Sequence, residues 1–358
     1  MLLRVLASKW MRSGLLAIIL AFCCYVLATE WPKVRPTLGQ MHVYSLAGSF
    51  VAAMLASGCM MLAWRAILAD LGSDLPPSVT ARITFLSQLG KYVPGAIWSF
   101  AAHVELGHDY QVPRRRGAAS VIVAMAIAVV AGLLIAAVLL PLASPDLARR
   151  YMLVLAVAPF IAVCLTPPIL HRVLNLALRL IKHEPLEQPV SWRGFGVALA
   201  WTLLGWLMFG LQVWAPLADV TKADGHTFSL ALGAYAFACS MALLLVVFPS
   251  GIGAREALLV AALAPVLPAG PALAVALAAR LVTTASDLAW ASVVLIAGST
   301  VSAKIRAPAK IAAPAKIAAI RGRGRHRKSS KLGLRPAPSE QTGGIPAIAA
   351  QASPGQEA

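Results

Sequence analysis

The sequence is short of charge. Only 13% of its 358 residues are Asp, Glu, Lys or Arg, against 59% hydrophobic, and the mean hydropathy is +0.77. A soluble domain of this length carries about a quarter charged residues, so a water-soluble globule is excluded. Acidic residues are scarcest, 14 against 31 basic, and the net charge is +17. The five cysteines, Cys23, Cys24, Cys59, Cys164 and Cys239, all sit inside apolar runs with no CxxC pair, which argues against a disulfide framework or a zinc site. No HExxH, GxSxG or P-loop pattern occurs, so the usual metalloprotease, hydrolase and nucleotide chemistries find no foothold and an enzyme is not expected. No cofactor is expected either.

What is present is a series of apolar runs long enough to cross a hydrocarbon core of about 30 Å, which takes roughly 20 residues. The clearest lie at about 13–29, 44–66, 118–142, 151–172, 195–216, 228–248 and 272–298. The first follows Arg4, Lys9 and Arg12 like a signal peptide, but Cys23-Cys24-Tyr25 is a poor cleavage site and further spans follow, so it reads as a retained helix. Two stretches, 81–108 and 254–268, are interrupted or too short. The expected class is an all-α polytopic membrane protein with about eight transmembrane helices and one or two re-entrant or broken segments. Basic clusters at the N-terminus, at Arg114 to Arg116 and around Arg172, Arg179, Lys182 and Arg193 fall on one side if 81–108 enters and leaves the same face. That side is expected to be cytoplasmic.

The first 300 residues read as the membrane domain, and 301–358 as a disordered basic tail. The tail holds 11 of the 31 basic residues and +9 of the net charge, and includes the repeat APAKIAAPAKIAA at 307–319. Such a segment next to a membrane helix suits anionic lipid headgroups. It lacks interleaved aromatics for stacking bases, so nucleic acid is not an expected partner.

The interruptions carry the functional signal. In ARITFLSQLGKYVPGAIWSF (81–100), Thr84, Ser87, Gln88 and Lys91 recur every three or four residues, a polar stripe if the segment is helical, and Pro94-Gly95 then breaks the helix. Unpaired backbone at membrane depth is tolerated only against protein or water, so the break predicts a cavity wall. In FPSGIGARE (248–256), Gly251 and Gly253 loosen the chain before a helix restarts near Ala254, with Arg255 and Glu256 in its first turn. A capped helix in an ordinary loop is the alternative. The last span places Arg280, Thr283, Thr284 and Asp287 on one face; Arg280 and Asp287 are too far apart to pair, so each is expected to meet a partner elsewhere, for instance Arg280 with Glu256. Broken segments in both halves point to a transporter site, and Lys91, Arg255 and Arg280 point to an anionic headgroup, most simply a phosphate. His103, Glu105, His108 and Asp109 also cluster, as a solvated surface or, less simply, a metal site.

SQLGKYVPGAIW and FPSGIGAREALLV, in that order, resemble the transmembrane domain of the lysylphosphatidylglycerol synthase, or flippase-like, family over roughly 10–298. Trp64-Arg65 and Arg280 fit its pattern, and the resemblance adds Arg65, Tyr92 and Trp98 to the expected headgroup site. It implies a bacterial inner-membrane protein whose relatives move an aminoacylated phospholipid made by a separate soluble domain. Three departures stand out: no soluble transferase domain is seen, no acid lies between 117 and 145, and the second motif reads Pro-Ser-Gly rather than Pro-Gly-Gly. Synthesis of the lipid and a cationic aminoacyl cargo are therefore not expected. The expected function is a translocase for a phospholipid or glycolipid headgroup. The alternative is a non-transporting accessory subunit of a membrane glycosyltransferase or lipid-modifying complex, with that enzyme as partner.

Overall fold

The computed structural model describes residues 31–32, 34–92, 97–144, 146, 149, 151–152, 156, 159–160, 163, 166–180, 189–244 and 253–306. Among them every regular element is helical. The helices with described bounds follow in order: α1 (Val43–Asp70), α2 (Pro77–Gln88), α3 (Ile97–Asp109), α4 (Arg114–Ala143), α5 (Pro167–Leu180), α6 (Trp192–Val220), α7 (Gly225–Leu244), α8 (Ala254–Leu263) and α9 (Ala269–Arg306). A 3₁₀ turn, Leu89–Tyr92, extends α2. Contacts divide the chain into Met1–Ile305, the bundle, and Arg306–Ala358, of which only Arg306 is described.

Five of these helices, α1, α4, α6, α7 and α9 up to Ala297, are long and apolar enough to cross a membrane. Of the about eight spans expected, these five are found among the described residues. The expected span at 13–29 lies outside them; within 151–172 the described residues are 151–152, 156, 159–160, 163 and 166–172, helical at all but Thr166, and α5 begins at Pro167. The tail was expected from 301, but α9 continues through Arg306; everything beyond lies outside the described residues.

The bundle is built around the antiparallel pair α1 and α6, and each helix receives a carboxylate from its partner. Asp70, at the end of α1, accepts from the Ser191 backbone N–H and hydroxyl, each at 2.6 Å, at the start of α6. Asp219, near the end of α6, accepts from the His42 N–H at 2.8 Å and the Ser45 hydroxyl at 2.9 Å at the start of α1. A helix start has unpaired N–H groups and a positive dipole end, so both carboxylates sit where they stabilise. α7 packs on α4 and α6, and its buried face, from Leu230 to Ala238, joins Leu133, Leu140, Trp206 and Leu217 in the main core.

α2 and α3 form the expected hairpin. At 12 and 13 residues they reach about 18–20 Å, short of the membrane thickness. Arg116, following the hairpin, donates to the Gly72 carbonyl (2.9 Å) and the Ser73 hydroxyl (2.8 Å) preceding it, so the chain enters and leaves at the same, basic end of the bundle. Gly90 permits the close fold: a Cβ there would meet the Ser99 backbone N at 2.8 Å. The polar stripe divides. Ser87 is fully buried and bonds the ring Nδ1 of His103 at 3.0 Å, holding the two arms together, while Lys91 donates to Gln88 Oε1 at 3.1 Å at the tip. The stripe fails as a single surface because the helix tightens into a 3₁₀ turn after Gln88.

α8 is only 10 residues, about 15 Å, so 254–268 is not a full crossing. It begins beside Arg280 of α9, while α9 itself starts 11 residues earlier, so α8 runs toward the end opposite Arg114 to Arg116 and α9 returns alongside it. On the way back α9 meets α6 through Gln212 and α1 through Trp290, whose indole donates to the Met54 carbonyl at 3.0 Å.

Candidate functional site

The tip of the α2–α3 hairpin, the N-terminus of α8 and the middle of α9 converge on one cavity of about 220 Å³. Lys91 and Tyr92 line it from the hairpin tip, Arg255 from α8, and Arg280, Thr283 and Thr284 from α9. Cys239, Ala242 and Leu243 of α7 close the remaining side.

Each charge is held by an identifiable neighbour. Lys91 Nζ lies 2.5 Å from Asp287 Oδ2 and 3.1 Å from Gln88 Oε1. Tyr92 donates its hydroxyl to the same Asp287 oxygen at 2.7 Å. Asp287 is 3% exposed, and a cation and a hydroxyl both reach it, as burial of a carboxylate requires. This contact ties the hairpin tip to α9, and it explains why Asp287 needed no partner on its own helix. Glu256 Oε2 accepts from the Gly253 N–H at 3.0 Å, closing the first turn of α8; Gly253 itself sits at φ +85°, open to glycine without strain.

The arginines differ. Arg280 Nη1 is 3.6 Å and Arg255 Nε 3.8 Å from the same Glu256 Oε1, both beyond hydrogen-bond reach, and that buried oxygen has no hydrogen-bond partner among the described residues. Arg255 lies over the Tyr235 ring, 5.2 Å from its centroid. Two guanidinium forks thus share one carboxylate oxygen at long range, which leaves N–H donors directed at the cavity. The expected pairing of Arg280 with Glu256 is present as this loose contact. Thr283 and Thr284 return their hydroxyl hydrogens to the carbonyls four residues earlier, at 2.7 and 2.9 Å, so their oxygens can serve only as acceptors there.

Of the site expected from sequence, Gln88, Lys91, Tyr92, Gly253, Arg255, Glu256, Arg280 and Asp287 come together. Arg65 does not: its Nε donates to the Leu75 carbonyl (2.8 Å) and its Nη2 to Asp74 (2.9 Å), holding the loop between α1 and α2 at the basic end. Trp98 begins the return arm, half-exposed, and does not line the cavity. Pro94, Gly95 and Gly251 lie outside the described residues. The His103 cluster also separates: His103 is packed edge-on to Trp64, ring centroids 4.2 Å apart, while Glu105 and His108 turn to Arg114. Hydrogen bonding to Arg114 holds the Glu105 carboxyl below its ordinary range. No group of metal-ligating side chains forms among the described residues.

Sequence reasoning missed Tyr235, Cys239 and Gln212. Tyr and Cys are unremarkable in an apolar helix and gave no signal. Gln212 did offer one, an amide alone in a membrane span; it is fully buried and donates to the Ala279 carbonyl (2.9 Å) and Thr283 Oγ (2.8 Å), pinning α6 against the cavity's back wall.

The sequence matches the family described as the lysylphosphatidylglycerol synthase TM region over residues 2–331. The chain belongs to this family. The match exceeds the expected 10–298 at both ends, taking in the N-terminal basic residues and the RGRGRHRK run at 321–328. No curated protein matches the chain. Within this lysylphosphatidylglycerol synthase TM region, the two broken segments that suggested the family are the ones whose charges meet at the cavity.

Proposed function

We propose that this membrane protein is a flippase-like translocase that accepts the anionic headgroup of a phospholipid or glycolipid in the cavity between the hairpin tip, α8 and α9. The observation that carries this reading is the pair Arg255 and Arg280, facing one cavity with a single carboxylate oxygen between them at 3.6–3.8 Å. A phosphate oxygen would offer both guanidiniums the short, paired geometry that Glu256 does not. Lys91 adds a third positive charge, anchored to Asp287 until a ligand competes for it. By the asymmetry of basic residues the Arg114 end faces the cytoplasm of a bacterial inner membrane.

The reading is tested with labelled anionic phospholipids in proteoliposomes, comparing wild type with Arg255→Ala and Arg280→Ala. Translocation by the wild type that both variants lose, while remaining folded, supports it. Equal rates in all three overturn the residue assignment. A folded wild type that moves no lipid overturns translocation and leaves a headgroup-holding subunit of a lipid-modifying complex as the reading to pursue.

A further inference from the structure

Helix α5 is built unlike the helices that surround the cavity. Its sequence, PPILHRVLNLALRL, places His171, Arg172, Asn175 and Arg179 at i, i+1, i+4 and i+8, one narrow polar stripe, and fills the other positions with Ile, Leu, Val and Ala. At 14 residues, about 21 Å, with two arginines, it is too short and too charged to span. The Pro167-Pro168 pair starts it as a separate helix.

Its depth is set by one anchor. Leu170 is buried in a cluster with Ile67 and Leu71, where α1 ends, and with Val190 and Ala198, where α6 begins. That is the basic end of the bundle. One turn apart on the remaining surface, Arg172 and Leu176 are both exposed, Leu176 at 60%. Trp192, 65% exposed two residues after Val190, marks the same level, where an indole suits the headgroup region. An exposed leucine beside an exposed arginine, at the depth of an exposed tryptophan, suits the boundary between acyl chains and phosphates.

We propose that α5 lies in the plane of the membrane surface at the basic end and binds anionic lipid there, its apolar side in the acyl boundary and its cationic stripe, with the exposed Arg172, in the phosphate layer. The occupant is lipid rather than another protein because the stripe is cationic and continues the charge of Arg114, Arg115, Arg116 and Arg193 at the same end. This is independent of the cavity.

The test uses the full chain in nanodiscs of phosphatidylglycerol or of phosphatidylcholine. A nitroxide at Leu176→Cys, in a cysteine-free background, should be reached by oxygen and shielded from an aqueous nickel chelate, with Arg172→Cys showing the reverse balance. In otherwise native protein, Arg172→Gln with Arg179→Gln should lower the retained phosphatidylglycerol relative to phosphatidylcholine by about fivefold per arginine. A label at 176 open to the chelate overturns the placement, as does one shielded only in dimeric samples, which would make a second copy the occupant. Unchanged lipid retention in the double variant overturns the headgroup assignment even if the cysteine-free protein fails to fold.

Discussion

The carboxylates at the ends of the α1–α6 pair and those at the cavity are used in different ways. Asp70 and Asp219 are saturated: each accepts hydrogen bonds from the backbone and a hydroxyl at 2.6–2.9 Å, at a helix start where negative charge is favoured. Glu256 gives one oxygen to the Gly253 N–H and leaves the other with two arginines at 3.6–3.8 Å and no hydrogen bond among the described residues. The first arrangement holds helices together. The second leaves donors short of acceptors, which is a binding site's condition rather than a scaffold's. Asp287 lies between the two, its Oδ2 engaged by a lysine and a tyrosine at the tip of a hairpin rather than by a helix end.

The contrast breaks hardest at Asp287. Asp287→Ala leaves Lys91 and Tyr92 without their shared acceptor and should cost about 3 kcal/mol, seen as a lowered Tm in nanodiscs, with Lys91→Ala costing no less because it leaves the buried Asp287 carboxylate without its cation. If Asp287→Ala is as stable as wild type, the contact does not join the hairpin to α9. Next, Gly90→Ala should cost about 1–3 kcal/mol by forcing the hairpin arms apart, since its new Cβ meets backbone rather than a pliable side chain. Translocation should fall with it.

The scaffold carboxylates should separate stability from activity. Asp70→Ala and Asp219→Ala each remove a capping acceptor and should cost about 1–2 kcal/mol while leaving transport per folded molecule unchanged. Arg280→Ala should do the opposite, losing at least about tenfold in translocation with little change in Tm, because a contact at 3.6 Å holds little of the fold. Loss of transport in the Asp70 variant at full folding would erase the distinction. The smallest effect belongs to the exposed Glu105–Arg114 pair. The carboxyl of Glu105 is held below its ordinary range, so its contribution is present above that range and fades as pH falls through it; the Tm difference between wild type and Glu105→Gln should shrink on acidification below about pH 4.

Much of the fold was legible in one dimension because apolar runs report burial in lipid directly. The boundaries of α1, α4, α6 and α7 fall within a few residues of their hydrophobic runs, and the return of the hairpin to its own side followed from counting arginines. The site was legible where a charge sat inside an apolar run, as at Lys91, Arg255, Arg280 and Asp287. It was misread where a motif residue lay near the others in sequence but on a different surface. Arg65, near the end of α1, binds the loop that follows it, and Trp98 belongs to the far arm of the hairpin.

Composition, run length and the placing of proline, glycine and charge determined by themselves that this chain is a helical membrane protein with two broken segments, since each reflects the local cost of placing polar groups in hydrocarbon. The sequence suggested Glu256 as one partner for Arg280, but the distances and the pairing of Lys91 with Asp287 were decided by tertiary structure. Lys91 and Asp287 are 196 positions apart and Glu256 and Arg280 are 24, and nothing in a helical period relates them. Only the folding-back of the hairpin and of α8 into the same space brings them together, where burial makes each charge dependent on its neighbour.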